Sequence, residues 1–237
     1  MLELLWGRVS GCRLSGGREA YNVELLKLNS KDFGVAQNRQ RVYIVGCRRD
    51  VATGLCCSPV RSLPTPPIRN FFDEDDPAID DAAKREKLPK QITARTNILA
   101  AHSRLKAAKV NPRSVDMVVD IGSGRGLNMM CGLCPTITRS RGGNGGFWVT
   151  SLGRRLSSTE LLRLQGVQPE WLHWRGIPLR SVGEMAGNAM TVPVLAAVLR
   201  EALKCTGLAP RSSPPGLLAT STIAPASPFE LAAASAR

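Results

Sequence analysis

The chain has 237 residues, enough to bury one sizeable core or one core with a small appended module. Lys and Arg outnumber Asp and Glu by 32 to 19, and a formal charge of +13 points to a polyanionic partner, nucleic acid before a membrane surface. No apolar run approaches the roughly 20 residues that cross a bilayer; the N-terminal "MLELLWGRVSGCRLSGG" lacks the basic start and apolar length of a signal peptide; and seven cysteines without a disulfide-like framework fit a reducing compartment. The expectation is a soluble protein with no membrane partner.

Residues 21–46 hold two β-rich apolar pieces around a polar loop, and "RVYIVG" predicts a buried strand ended by Gly46. From Cys47 to about Lys90 the text turns loop-like, with "PTPP" and the acidic run from Asp73 to Asp76. Ile98, Leu99, His102 and Leu105 recur at helical spacing and predict a helix over Thr96 to Lys109. Its Arg104, Lys106 and Lys109 suit a solvated face as well as a DNA contact.

Next comes "VVDIGSGRGLN", residues 118–128, where a hydrophobic strand ends in Asp120 and Gly122, Gly124 and Gly126 follow. Such a turn resembles a cofactor loop, but a cofactor-binding unit continues into a helix and a second strand ending in an acid. Here "MMCGLCPTITRSRGG" follows instead, so these glycines are expected to shape a turn. Cys131 and Cys134 form a lone C-x-x-C, read as buried or incidental thiols, not as metal ligands. The basic, glycine-rich "CPTITRSRGGNGGFWVTSLGRR" leads to two helices. "SSTELLRLQG" has the capping-box spacing of Ser157 and Glu160 and closes at Gly166. "TVPVLAAVLREALK" has Thr191 as N-cap, Pro193 in its first turn, and Leu195, Val198, Leu199, Ala202 and Leu203 on one face. The Pro-, Ser- and Ala-rich remainder is expected to be an unstructured tail.

Arg39 and Arg41 lie two residues apart at the strand in "FGVAQNRQRVYIVG", and a period of 2 points both the same way. Permanent charge with planar donors suits a phosphate or a carbonyl oxygen that gains negative charge during reaction; a salt bridge at the start of the strand is the plain alternative. Gln37, Asn38, Arg39, Gln40 and Arg41, running on to Gly46, resemble the eighth conserved motif of the DNA cytosine-5 methyltransferases. Arg155, Leu156, Glu160, Leu164, Gln165 and Gly166 of "RRLSSTELLRLQG" resemble the ninth, and Gly187, Asn188, Val192 and Pro193 of "GNAMTVPVLAAVL" the tenth. Thr136 and Ile137 stand where the family usually carries a Thr-Leu pair in its DNA-reading loop, and Arg139 and Arg141 among glycines suit close approach to phosphates.

The resemblance implies an α/β fold, the C-terminal portion of a Rossmann-like S-adenosylmethionine-dependent methyltransferase with a small inserted target-recognition domain. Its expected divisions are a partial catalytic domain at 1–50, the recognition region at 51–152, a return to the catalytic domain at 153–206 and a disordered tail at 207–237. It implies duplex DNA as partner, S-adenosyl-L-methionine as methyl donor, and the nucleus of a eukaryote, otherwise the cytoplasm, as compartment. In the family the target cytosine is flipped out, a cysteine thiolate adds to carbon 6 and carbon 5 takes the methyl group. Arg41 would hydrogen-bond the cytosine carbonyl, Arg39 and Gln37 would organise the pocket, and Asn188 and Gly187 would border the cofactor. The family's nucleophile is a Cys after a Pro, and this chain contains neither a Pro-Cys dipeptide nor a Glu-Asn-Val segment. The chain is therefore expected to be the C-terminal part of such an enzyme, completed by an upstream exon or a second polypeptide. A catalytically inactive DNA-binding module and a free-standing methyltransferase built on "DIGSGRG" are the rival readings.

Overall fold

The computed structural model describes residues 20–52, 60–73, 87–173 and 176–209, so nearly all of the expected tail and most of the acidic run lie outside the described residues. Strands β1 (Tyr21–Asn29) and β2 (Gln40–Arg48) form an antiparallel ribbon, with Tyr21 opposite Arg48 and Asn29 opposite Gln40. The period of 2 sends Tyr43, Val45 and Cys47 of β2 to one face. There they meet helix α5 (Val192–Cys205) through Val194, Ala197 and Cys205. Val42 and Ile44 point the other way and are 42% and 39% exposed, beside Leu25 at 38%. The expectation of a buried strand is thus met on one face only. A continuous apolar run is the pattern of a strand covered on both faces, and the described residues cover just one.

A second sheet has the order β4 (Met129–Cys131), β3 (Met117–Asp120), β5 (Phe147–Val149), β6 (Arg154–Arg155). Alternation divides its side chains between two cores. Met117, Val119 and Trp148 pack under helix α1 (Ile92–Ala107) against Ala94, Ile98, Ala101 and Leu105, while Val118, Phe147 and Val149 face the main core. Helix α1 starts four residues before the expected Thr96, and Leu99 lies exposed instead of on the buried stripe. The stripe runs through small Ala94 and Ala101 and through polar Asn97, which hydropathy spacing undervalues.

The main core joins Ala36 and Ile68 to Val118, Phe147, Leu161 and Ala186, drawing on all three expected segments. The β5–β6 pairing also spans the boundary expected between residues 152 and 153. Every pairing between the named strands is antiparallel, and the parallel bridges Phe33–Leu63 and Gln37–Cys134 are isolated, so the described residues form a mixed α/β fold without the parallel strands of a doubly wound sheet.

Helix α3 (Ser158–Leu164) carries the expected capping box: Ser157 Oγ accepts from the Glu160 amide, and Glu160 accepts from the Ser157 amide. Glu160 is fully buried, yet Arg154 reaches both its oxygens at 2.8 and 3.0 Å and the Asp73 amide adds a third donor at 2.8 Å. Two helices cross on glycine. Gly142 at the end of α2 (Arg139–Gly143) lies so close to Gly183 of α4 (Leu179–Asn188) that a Cβ on either would collide with the other's carbonyl. Thr191 does precede α5, but its hydroxyl donates to Gln165 Oε1 at 2.9 Å and makes no cap bond. On α5 itself Val194, Ala197 and Val198 face inward, whereas Leu199 and Leu203, expected on the buried face, are exposed. The stretch Leu179–Cys205, with a mean hydropathy of 1.4 in its most apolar window, is by length and composition apolar enough to span a bilayer, unlike the expectation. It is divided into α4 and α5 by extended backbone at Ala189.

Two expected outcomes follow from these contacts. Burial would raise the Asp73 pKa, but hydrogen bonds from Ser157, Arg163 and Thr159 outweigh it and hold the carboxyl below its ordinary value. A depressed folded pKa contributes stability above the unfolded value that is lost as pH falls through the folded one. Urea denaturation should therefore show Asp73→Asn less stable than wild type near neutrality, with the gap closing below about pH 4. A gap independent of pH would show that the charge contributes nothing. Gly183→Ala should cost about 1–3 kcal/mol through the collision with Gly142, whereas Gly124→Ala, with no atom near its Cβ position, should change stability by less than about 0.5 kcal/mol.

Candidate functional site

The segments that carry the family resemblance lie far apart in sequence and meet at residues 37–41. Gln37 is fully buried and both ends of its amide are engaged: Nε2 donates to the Leu164 carbonyl at 2.9 Å, and Oε1 accepts from the Ile137 amide at 3.4 Å. The Asn38 amide donates to Cys134 O and the Cys134 amide to Ala36 O, both at 2.8 Å, while Thr136 Oγ1 donates to Asn38 O at 2.8 Å. Asn29 holds the same loop from β1, accepting from the Arg39 amide at 3.1 Å and donating to Asn38 Oδ1 at 2.7 Å.

Arg39 is buried, and its guanidinium serves three backbone carbonyls. Nη1 donates to Ile137 O and, at 3.3 Å, to Gly187 O; Nη2 donates to Ala189 O at 3.0 Å. Two of these carbonyls lie at the C-terminal end of α4, where the helix leaves acceptors unpaired and favours positive charge. Among the described residues no carboxylate pairs with Arg39, so the salt-bridge alternative is not formed there. Burial first, and the neighbouring Arg41 second, lower its pKa. Burial likewise raises the Tyr43 phenol, against the pull of Arg39 and Arg41. Both guanidiniums thus lie near Tyr43, as the period of 2 requires, but they differ in depth. Arg41 is exposed, and its hydrogen bond to the adjacent Gln40 carbonyl, 2.7 Å, leaves most of its fork open.

Gln165 is the residue whose role the sequence left undefined. Its Nε2 donates to Ala186 O at 2.8 Å, its Oε1 accepts from Thr191, and its carbonyl accepts the Val192 amide at 2.9 Å, fastening α3 to both α4 and α5. Asn188 is exposed as the last residue of α4, four residues before α5 rather than at its start. Gly187 is buried, and a Cβ there would collide with Thr138 O, so its glycine serves packing.

Of the residues expected at DNA, Ile137 is fully buried and offers its backbone instead of its side chain. Arg139 is exposed and pairs with Glu184 at 3.2 Å; Arg141 pairs with Asp120 at 2.7 Å. Thr136 is half-buried and lines a cavity of about 330 Å³ with Asn38, Asp120, Asn128, Thr138 and Arg141. Cys131 is exposed, while Cys134 is buried and its thiol is pushed well up by burial, then by Asp120.

The glycine stretch is the turn of a β-hairpin. The Asp120 amide donates to Asn128 O at 2.9 Å, Ser123 Oγ to Gly126 O at 2.7 Å, and Gly126 takes φ +101°. It leads into strand β4 and not a helix, so no helix N-terminus stands ready for a cofactor. The free-standing methyltransferase reading loses its premise.

The two arginines should separate in a stability measurement. Arg39→Met leaves three carbonyls without their donor and should lower stability by about 2–4 kcal/mol, with Arg39→Lys between it and wild type. Arg41→Ala should stay within about 0.5 kcal/mol. Equal urea midpoints for Arg39→Met and wild type would rule out the clamp.

Comparison with known proteins gives the family. The sequence profile of C-5 cytosine-specific DNA methylase matches residues 16–204. The Type II methyltransferase M.NgoBI of Neisseria gonorrhoeae is 28% identical over 177 residues, 75% of this chain and 49% of the relative. M.HaeII of Haemophilus aegyptius is 28% identical over 196 residues, 81% of this chain and 54% of the relative. A solved Entamoeba histolytica methyltransferase, EhMeth, aligns with a TM-score of 0.46 at 12% identity, covering 78% of this chain and 54% of that one. The chain spans about half the length of the curated relatives it matches. With its profile matched over most of the chain, this protein belongs to the C-5 cytosine-specific DNA methylase family.

Proposed function

We propose that this chain takes part in methylation of carbon 5 of cytosine in duplex DNA, supplying the C-terminal, DNA-facing part of the enzyme. The observation that carries the reading is the contrast between Arg39, spent on three carbonyls, and Arg41, held two residues away with an open fork. A permanent, planar donor on a fixed loop suits a carbonyl oxygen that becomes more negative as a nucleophile adds to its ring. Arg41 would bind that oxygen of the flipped cytosine. Gln37 and Arg39 act through it, as positioning residues that fix the backbone from which it projects.

The chain lacks the Pro-Cys and Glu-Asn-Val segments, so the nucleophile would come from a second polypeptide or an upstream exon. The outward apolar face of Leu25, Val42 and Ile44 suits cover by such a partner. S-adenosyl-L-methionine would supply the methyl group. Exposed Asn188, with the backbone at Gly187, would form one edge of its site, since the glycine hairpin forms no cradle for it. On this reading residues 51–152 are the target-recognition region between catalytic segments 1–50 and 153–206, and the compartment is the nucleus in a eukaryote and otherwise the cytoplasm. The missing nucleophile context also favours a second reading, a DNA-binding module without activity of its own.

Tritiated methyl incorporation into duplex DNA, with nucleoside analysis for 5-methylcytosine, distinguishes these. The 237-residue chain alone should be inactive, and a polypeptide carrying the Pro-Cys and Glu-Asn-Val segments should restore transfer. In the restored enzyme Arg41→Ala should slow methylation by roughly two to three orders of magnitude. Transfer by the unassisted chain would refute the two-part reading, no transfer with any such partner would favour the DNA-binding module, and an unimpaired Arg41→Ala enzyme would refute the role of Arg41.

A further inference from the structure

The glycine hairpin is left without a part in the chemistry above, yet it is held in place with unusual care at its base. Asn97 of α1 donates to the carbonyls of Ile121 and Ser123 at 3.1 and 3.0 Å. Asp120 accepts the Gly122 amide at 3.1 Å while pairing with Arg141, whose guanidinium lies where a side chain at Gly122 would stand. Leu127 and Met129 press the returning strand onto the core beneath α1. The base is therefore rigid.

The tip is the opposite. Gly124 and Gly126 have nothing within 4 Å of their Cβ positions, and between them Arg125 is exposed. Among the described residues no acid pairs with Arg125. Arg139 and Arg141 are already partly neutralised by Glu184 and Asp120, which weakens them as ligands for a polyanion. The two feet of the hairpin, Asp120 and Asn128, wall the cavity of about 330 Å³ that also includes Asn38, three residues before Arg41. An exposed guanidinium thus stands at the tip of a held stem whose feet wall a polar cavity shared with Asn38 of the loop that leads to Arg41.

We propose that Arg125 is a base-reading residue, which enters the major groove beside the target cytosine and donates both arms of its fork to O6 and N7 of a guanine. This rests on the DNA reading of the chain given above. Guanine is the base whose major-groove edge presents two adjacent acceptors to such a fork. The flanking glycines keep the hairpin tip slim enough to enter the groove and leave the side chain free to align.

The test is selection of duplexes from a randomised pool by the whole 237-residue chain, followed by affinity and salt-dependence measurements on the selected sites. Wild type should enrich a motif containing a guanine that Arg125→Ala no longer selects. Replacing that guanine should weaken wild type roughly ten- to a hundredfold and leave Arg125→Ala unaffected. Arg125→Lys, which keeps the charge and loses the fork, should not restore the preference. The slope of log affinity against log salt should hardly change in either variant. If Arg125→Ala selects the same motif, or weakens all sequences equally with a slope smaller by about one, the residue contacts phosphate or nothing and the proposal fails. A wild-type chain that binds duplexes without preference also refutes it. A wild-type chain that binds no duplex at all refutes the DNA reading itself.

Discussion

The arrangement of this protein turns on one buried cation. Arg39 gathers the carbonyls of Ile137, Gly187 and Ala189, which belong to a loop and to the end of α4 and lie about a hundred or more residues further along the chain. A buried guanidinium is tolerable only where its donors are satisfied, and carbonyls left behind by a helix terminus are suitable acceptors. The same contact removes two unfavourable features at once, an unpaired charge and unpaired helix carbonyls. Gln37 and Gln165 repeat the device with neutral amides, Gln37 bridging the backbone of Leu164 and Ile137, and Gln165 the Ala186 carbonyl and the Thr191 hydroxyl. The three residues add a few directional bonds to the apolar core that joins the same segments, and such bonds fix orientation more sharply than burial does.

Close backbone approach is the complement of those bonds. Gly142, Gly183 and Gly187 let α2 and α4 meet through main-chain atoms, and this brings the Ile137–Arg139 backbone near the end of α4 where Arg39 waits. Side chains at these positions would push the carbonyls out of reach of one guanidinium. The electrostatic clamp and the glycine contact therefore depend on each other, and the geometry at Arg41 inherits both.

Much of this was legible in the sequence, and the failures have common causes. The capping box at Ser157 and the turn character of "DIGSGRG" rest on local backbone chemistry, which a sequence displays directly, whereas the strand expected to end at Gly46 runs on to Arg48 because it stays paired with β1. The paired arginines could be singled out, but not their division into buried and exposed, because that depends on carbonyls about a hundred or more residues away. Ile137 was expected at the DNA and instead contributes to the core, since a loop's inward and outward residues have no periodicity to read. Thr191 had every local mark of an N-cap and bonds Gln165 instead, a tertiary partner prevailing over a local one. Arg139 and Arg141 were counted as available charge, whereas Glu184 and Asp120 meet them in space. Composition sums charges and cannot pair them.

The mismatch on β2 has a different origin. Its residues are apolar on both faces, as in a strand at the centre of a sheet covered from two sides, yet α5 covers only the face of Tyr43, Val45 and Cys47. A two-stranded ribbon is marginal by itself, and here one helix and the loop locked by Asn29 supply its support. The opposite face carries Leu25 and Ile44 at the middle of the ribbon and Val42 next to Arg41. On the two-part reading the partner that covers this face is also the one that brings the nucleophile. Burial of Val42 and Ile44 would then hold the strand that carries Arg41, whose side chain leaves from the opposite face beside Tyr43. Assembly would then act on Arg41 through the backbone of β2 and not through its side chain, whose orientation is set from the loop that Arg39 and Gln37 hold.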